Sequence, residues 1–226
     1  GRLAAGREAW EAVLDPLPRP LVAFLIGGPT VPFIFDAEVA RRLRARLQSV
    51  LDKGGTPYLV GSRRTPPGFL RQVAGGLPDR VRVFDWAESG EYNPYTGLLA
   101  HADRFVVTGD SISMQVEVAR LGKPLEIVDL PTGRLGRLDD LRRRLTARLF
   151  DVPADGSMAA VARGLCRLGL VPQTRHFPRF HKMLVDRGMA CWAGDETTPQ
   201  SAPPDTGADI NRILARIDAL MAEGAS

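Results

Sequence analysis

Six consecutive apolar residues, Leu21-Val22-Ala23-Phe24-Leu25-Ile26, run straight into Gly27-Gly28. A strand with one wet face alternates apolar and polar residues, whereas an unbroken run suits a strand buried on both faces of a parallel sheet. The pattern recurs: residues 57–60, 81–84, 104–107 and 125–128 read as further strands. Between the first two, Asp36 is placed to cap a helix over 37–53, with Val39, Leu43, Leu47 and Val50 on one face and Gly54-Gly55 as its stop. Helices over about 68–75, from Pro94 onward after Asn93, and over 114–121 before Gly122 fill the other intervals. Five strands alternating with helices every 25 residues or so predict right-handed βαβ units and an α/β, doubly wound parallel sheet.

The flanks are less regular. Residues 3–14 read as a short amphipathic helix, broken by Pro16, Pro18 and Pro20. Beyond residue 150 the alternation degrades. Residues 157–168 look helical, and 171–180 hold prolines, histidines and phenylalanines in no clear period. Residues 194–207 read as a flexible loop, and 208–222 as an amphipathic helix with Ile210, Ile213, Leu214, Ile217 and Leu220 on one face. The expected organisation is an N-terminal helix, linker or remnant of a preceding domain over 1–15, an α/β domain over 16–150, and a helical tail over 151–226. The chain opens on Gly1 rather than Met, so a piece lacking an N-terminal segment is expected.

Composition narrows the class without choosing a ligand. Of 226 residues, 44% are hydrophobic and 25% charged, which excludes a disordered chain, and no apolar run approaches the roughly 20 residues of a spanning helix. Cys166 and Cys191 stand in no metal-like spacing, and no signal peptide is visible, so a cytoplasmic, reducing setting is expected. The net charge of +4 would suit a phosphorylated ligand, an acidic membrane surface or nucleic acid. Basic residues gather over 134–148, including Arg142-Arg143-Arg144, a pattern read first as a solvated helix face.

In open parallel sheets, ligands bind beyond the carboxyl ends of the strands. Three of those loops share a chemistry. Gly27-Gly28-Pro29-Thr30 offers close-approaching amides and a hydroxyl, although a Gly-Gly pair also serves as a plain turn. Gly61-Ser62-Arg63-Arg64-Thr65 offers two hydroxyls and two guanidinium forks that match phosphate oxygens; adjacent arginines diverge on extended chain, so one is expected to face the site. Thr108-Gly109-Asp110-Ser111-Ile112-Ser113-Met114 leads into a helix that Asp110 or Ser111 can cap, with Ser111 and Ser113 as donors near its positive end. Glu117, one turn on, could accept bonds from ribose hydroxyls. Trp86, Tyr92 and Asn93 mark a region that could meet a nucleobase, or simply pack at the domain edge. His176 and His181 are spaced wrongly for one helix face, and no metal site is expected. The six-residue dinucleotide fingerprint and the Walker lysine are both missing, which argues against a dehydrogenase and an NTPase.

The ordered series Gly27-Gly28, Ser62-Arg63-Arg64-Thr65, Asn93-Pro94-Tyr95, Thr108 to Met114 with Glu117, and Gly122-Lys123-Pro124 resembles the plant mitochondrial-fission "elongated mitochondria" family and its bacterial, glycosyltransferase-like relatives, over about residues 10–150. The resemblance implies a Rossmann-like domain, the C-terminal half of a GT-B architecture, whose preceding partner domain would bind the acceptor and supply the base. It implies a nucleotide-sugar as co-substrate, no other cofactor, and metal-independent transfer. Gly27, Gly28, Thr30, Ser62, Arg63, Arg64, Ser111 and Ser113 would hold the diphosphate, and Glu117 the ribose. The family more often has Ala where this chain has Gly109. The expected partners are a nucleotide-sugar donor and an acceptor such as a lipid-linked or envelope glycan, with peripheral contact to the inner membrane and no nucleic acid. The alternatives are a non-enzymatic interaction scaffold and a nucleotide-sugar epimerase.

Overall fold

The computed structural model describes residues 1–86, 93–133 and 177–195, the Arg2 side chain excepted. The elements run α1 (Arg2–Leu14), β1 (Leu21–Ile26), α2 (Ala37–Asp52), β2 (Thr56–Gly61), α3 (Phe69–Ala74), β3 (Arg82–Phe84), α4 (Tyr95–His101), β4 (Arg104–Thr108), α5 (Ile112–Arg120), β5 (Leu125–Val128), α6 (Phe177–Asp186) and β6 (Cys191–Trp192). All belong to one compact unit.

The six strands form one sheet in the order β3-β2-β1-β4-β5-β6, every pair parallel. The architecture is the α/β, Rossmann-like fold, and strand order reverses between β1 and β4, which puts their carboxyl ends side by side. Every residue of β1 is buried, as an unbroken apolar run requires. Phe24 and Ile26 face Val39, Leu43 and Leu47 of α2 and Phe69, Leu70 and Val73 of α3. Leu21, Ala23 and Leu25 face the opposite layer, with Leu98 of α4, Val118 of α5 and Leu184 of α6.

Local chemistry sets the ends of the helices. The Asp36 Oδ1 accepts from the Val39 amide at 3.0 Å, and Gly54 closes α2 at φ 79°, a left-handed conformation that favours glycine. The Asn93 Oδ1 accepts from the Tyr95 amide at 2.9 Å, so Pro94 sits at the cap position and α4 begins one residue later. Lys123 explains the motif it belongs to: its Nζ donates to the carbonyls of Ala100 (2.8 Å) and Ala102 (2.7 Å) at the end of α4, and burial lowers its pKa to about 8. The α2 and β5 elements are joined by Arg46 and Glu126, with Nε to Oε2 at 2.6 Å and little of either side chain exposed.

Two elements were not anticipated. Helix α6 occupies part of the stretch that showed no clear period, and β6 extends the sheet from five strands to six. A two-residue strand is too short for any periodic signal, and its parallel pairing to β5 is a long-range event. In α6, Pro178 falls in the first turn, where its missing amide costs nothing. The expected helices over 157–168 and 208–222, the basic run over 134–148, Tyr92 and most of the 194–207 loop lie outside the described residues.

Helix α1 packs closely on α4. His101 Nδ1 lies 2.7 Å from Asp15 Oδ1 and its Nε2 2.9 Å from the Arg7 carbonyl. Gly97 faces Trp10 so closely that a β-carbon there would overlap the indole. Gly97→Ala is therefore expected to destabilise by about 1–3 kcal/mol in urea unfolding, as overpacked sites do, and the penalty should vanish in a Trp10→Ala background.

Candidate functional site

The loops after β1, β2 and β4 meet at the reversal of strand order, where β1 lies hydrogen-bonded between its two neighbours. β1 ends at Ile26 opposite Gly61, so Gly27-Gly28 emerges beside Ser62. The strand amides that follow have no ladder partner and find side chains instead. Gly27 N donates to Thr108 Oγ1 at 2.8 Å, and Gly28 N to Asp110 Oδ2 at 3.0 Å. The Thr65 hydroxyl lies 2.6 Å from the Gly27 carbonyl and accepts from the Ser62 amide at 2.7 Å. Close approach is what requires glycine here. A β-carbon on Gly27 would overlap the Asp110 carboxylate and the Ser111 hydroxyl, and one on Gly28 would overlap the Arg64 backbone carbonyl.

The two arginines diverge. Arg63 lies over the Trp86 ring, 4.7 Å from its centroid, and Trp86 meets Phe84 edge-on. Arg64 turns into the site: Nη1 meets the Thr30 hydroxyl, while Nη2 lies 3.4 Å from Asp110 Oδ2 and 3.5 Å from Ser111 Oγ. Half of its side chain remains exposed, so the guanidinium spans from loop to solvent.

Ser111 stands at the cap position of α5 but makes no side-chain cap bond. Its hydroxyl donates to Asp110 Oδ2 at 3.1 Å instead, and Asp110 itself reaches Gly28 rather than the helix. A carboxylate removed from water is the more demanding acceptor, and it draws the donors around it. Ser113 is exposed on the first turn of α5, and Glu117 is exposed one turn on, its Oε2 accepting from the Tyr95 hydroxyl at 2.6 Å. The structure thus brings together Gly27, Gly28, Thr30, Ser62, Arg64 and Ser111, with Ser113 and Glu117 along the adjoining helix. Arg63 goes to Trp86, and Asn93 is spent on the start of α4.

Asp110 is the group that loop chemistry alone did not single out as central. Its side chain is fully buried, and Oδ1 has no partner among the described residues. Burial pushes its carboxyl above the usual range. The Gly28 amide, the Thr108 hydroxyl, the Arg64 charge and the Ser111 hydroxyl pull it down but do not offset that rise. The signal that could have flagged it is an aspartate two residues past a strand whose last four residues are all buried.

Gly109 is also crowded. A β-carbon there would lie 3.1 Å from the Val128 carbonyl and 3.2 Å from His181 Cε1, so an alanine needs both the end of β5 and the His181 ring to give by a few tenths of an ångström. His181 is buried against Phe180 and Trp192, and burial lowers its pKa. A second concavity, of about 800 Å³, lies between α2 and the β5–β6 edge, away from these loops. Arg41, Arg46, Lys53 and Arg104 line it, with Glu126 and Asp195; Glu38 and Glu126 already pair with Arg41 and Arg46.

The sequence model of the family described as mitochondrial fission ELM1 matches residues 1–165. The mitochondrial fission protein ELM1 of Arabidopsis thaliana is 36% identical over 126 residues, which are 56% of this chain and 29% of that protein. An uncharacterized protein of Rickettsia prowazekii is 32% identical over 111 residues, 48% of this chain and 31% of that protein. The chain thus spans about a third of the length of either relative.

The raised carboxyl has a consequence for stability. In the native state Asp110 holds a proton more tightly than in the unfolded chain, so its contribution to stability declines as pH rises from the ordinary carboxylate range through its raised value. Asp110→Asn has no such titration. Urea midpoints measured against pH should show the Asn variant gaining on the wild type across that window, with a constant difference above it.

Proposed function

The chain belongs to the mitochondrial fission ELM1 family, and we propose that it is the donor-binding part of a glycosyltransferase-like protein, which holds a nucleotide-diphosphate sugar for transfer to an acceptor. The observation that carries this reading is Arg64. Its guanidinium, half in solvent, stands where the loops after three adjacent strands converge, within reach of the Thr30 and Ser111 hydroxyls. An arginine fork flanked by hydroxyls matches the oxygens of a diphosphate. The α5 N-terminus and Ser113 add positive potential and a donor on the same side.

In this reading the chemistry is electrostatic. Charge grows on the diphosphate as the sugar leaves, and donors already fixed in place stabilise it without reorganising. No metal is required for that task, because Arg64 supplies the cation. Glu117 takes the ribose hydroxyls, held by Tyr95 in an exposed but oriented position. The acceptor is proposed to be a lipid-linked or envelope glycan met at a membrane surface; among the described residues, no helix is long and apolar enough to cross a membrane.

One observation favours a second reading, an interaction scaffold without catalysis. The amides of Gly27 and Gly28 are already bonded to Thr108 and Asp110, so the loops are laced to one another rather than held open. Calorimetric titration of the full-length protein with UDP, GDP and CMP separates the two. The expected result is binding of at least one nucleotide, weakened about tenfold by Glu117→Ala, the size of one charge-assisted hydrogen bond. Absence of binding by all three would leave the scaffold reading standing.

A further inference from the structure

Asp110 is the group least compatible with an anionic ligand in these loops. Its Oδ2 takes the Gly28 amide, the Ser111 hydroxyl and one arm of Arg64. Those are three of the donors that a diphosphate would use. The carboxylate therefore fills the role of a phosphate, supplied by the chain itself. A second anion brought beside it would be repelled strongly, because the buried carboxylate is poorly screened by solvent.

The surrounding charges cannot offset two anions. Arg64, from the loop after β2, is the one cation bonded to the carboxylate among the described residues, and half of it lies in solvent. From α6 comes His181, which abuts Gly109 and whose burial favours the neutral ring. From α5 comes the positive end of the helix, while Glu117 on that helix is engaged by Tyr95. The Oδ1 atom is buried and has no hydrogen-bond donor among the described residues.

We infer that Asp110 is an internal anion of the site, and that a phosphate-bearing ligand binds there only as the Asp110 carboxylate takes up one proton from solvent. The inference rests on the donor-binding reading above. Protonation removes one negative charge from the loops. It replaces an orphaned acceptor with an O–H donor and releases Arg64 and Ser111 toward phosphate oxygens. The balance is simple: carboxylate, proton and ligand go to carboxylic acid and bound ligand, with no covalent change. Asp110 is thus a positioning and selecting residue, and its charge decides when the site accepts an anion.

The test uses UDP-glucose and GDP-mannose, whose phosphates are diesters and lack the second ionisation near pH 6 of a phosphate monoester. Full-length wild type and Asp110→Asn are titrated calorimetrically across a pH series, in buffers of different ionisation enthalpy, so that protons taken up are counted directly. The expected wild-type result is uptake of about one proton per ligand, with affinity falling up to about tenfold per pH unit as pH rises. Asp110→Asn should bind with no uptake, a flat profile and higher affinity at neutral pH. Binding by the wild type without proton uptake overturns the inference and leaves the donor-binding reading intact. So does an Asn variant that keeps the wild-type pH profile. If neither protein binds either compound at any pH, the donor-binding reading itself falls, and this inference with it. Should the Asn variant fold poorly, the wild-type proton count decides alone.

Discussion

The burial of β1 on both faces is the constraint from which the rest follows. A strand with no polar side chain on either face has only its backbone to offer at its end. When it leaves the sheet at Ile26, the next amides must find acceptors or lose hydrogen bonds worth roughly 1–3 kcal/mol each. Thr108 and Asp110, carried in by the neighbouring strand β4, are those acceptors. The reversal of strand order puts β4 there rather than a sequential neighbour, so topology and hydrogen bonding solve the same problem together.

That solution has a chemical consequence. The acceptor of the second amide is a carboxylate, and its burial holds a titratable group among the loops that would meet a ligand. Arg64 then becomes the partner of that carboxylate as well as the cation of the site. A single interaction network thus serves cohesion and recognition, and the two demands oppose each other wherever the ligand is itself an anion. Family membership and the Rossmann-like fold do not choose between the proposed donor-binding role and a scaffold, and the lacing of the loops keeps the scaffold in view.

Much of the fold was legible because its signals are local. An unbroken apolar run marked β1 and short, largely apolar stretches marked the next four strands, while Asp36 and Asn93 marked helix starts, and Gly54 and Gly122 marked stops. Arg63 and Arg64 diverge as expected, but on a turn closed by the Thr65 amide and the Ser62 carbonyl at 3.0 Å rather than on extended chain, and nothing local said which of them turns inward. That choice depends on Trp86, which lies beyond the next strand and offers Arg63 an aromatic face. The sixth strand carried no pattern at all, since two residues hold no period and their pairing depends on β5 presenting a free edge.

By itself, the sequence determined that this is a parallel α/β chain, and that hydroxyls, glycines and an arginine stand at the ends of its strands. Those properties reside in local order: which residues are apolar, how often they recur, and what interrupts them. Only the tertiary structure decided that Asp110 would leave its own helix and bond the loop of β1. The reason is distance along the chain. Gly28 and Asp110 are 82 residues apart, and their bond at 3.0 Å exists only because β1 and β4 are neighbours in the sheet. Burial then follows from the layers packed around that seam, and with it the shifted carboxyl. No window of sequence contains both partners, so the network at the centre of this site is a property of the fold.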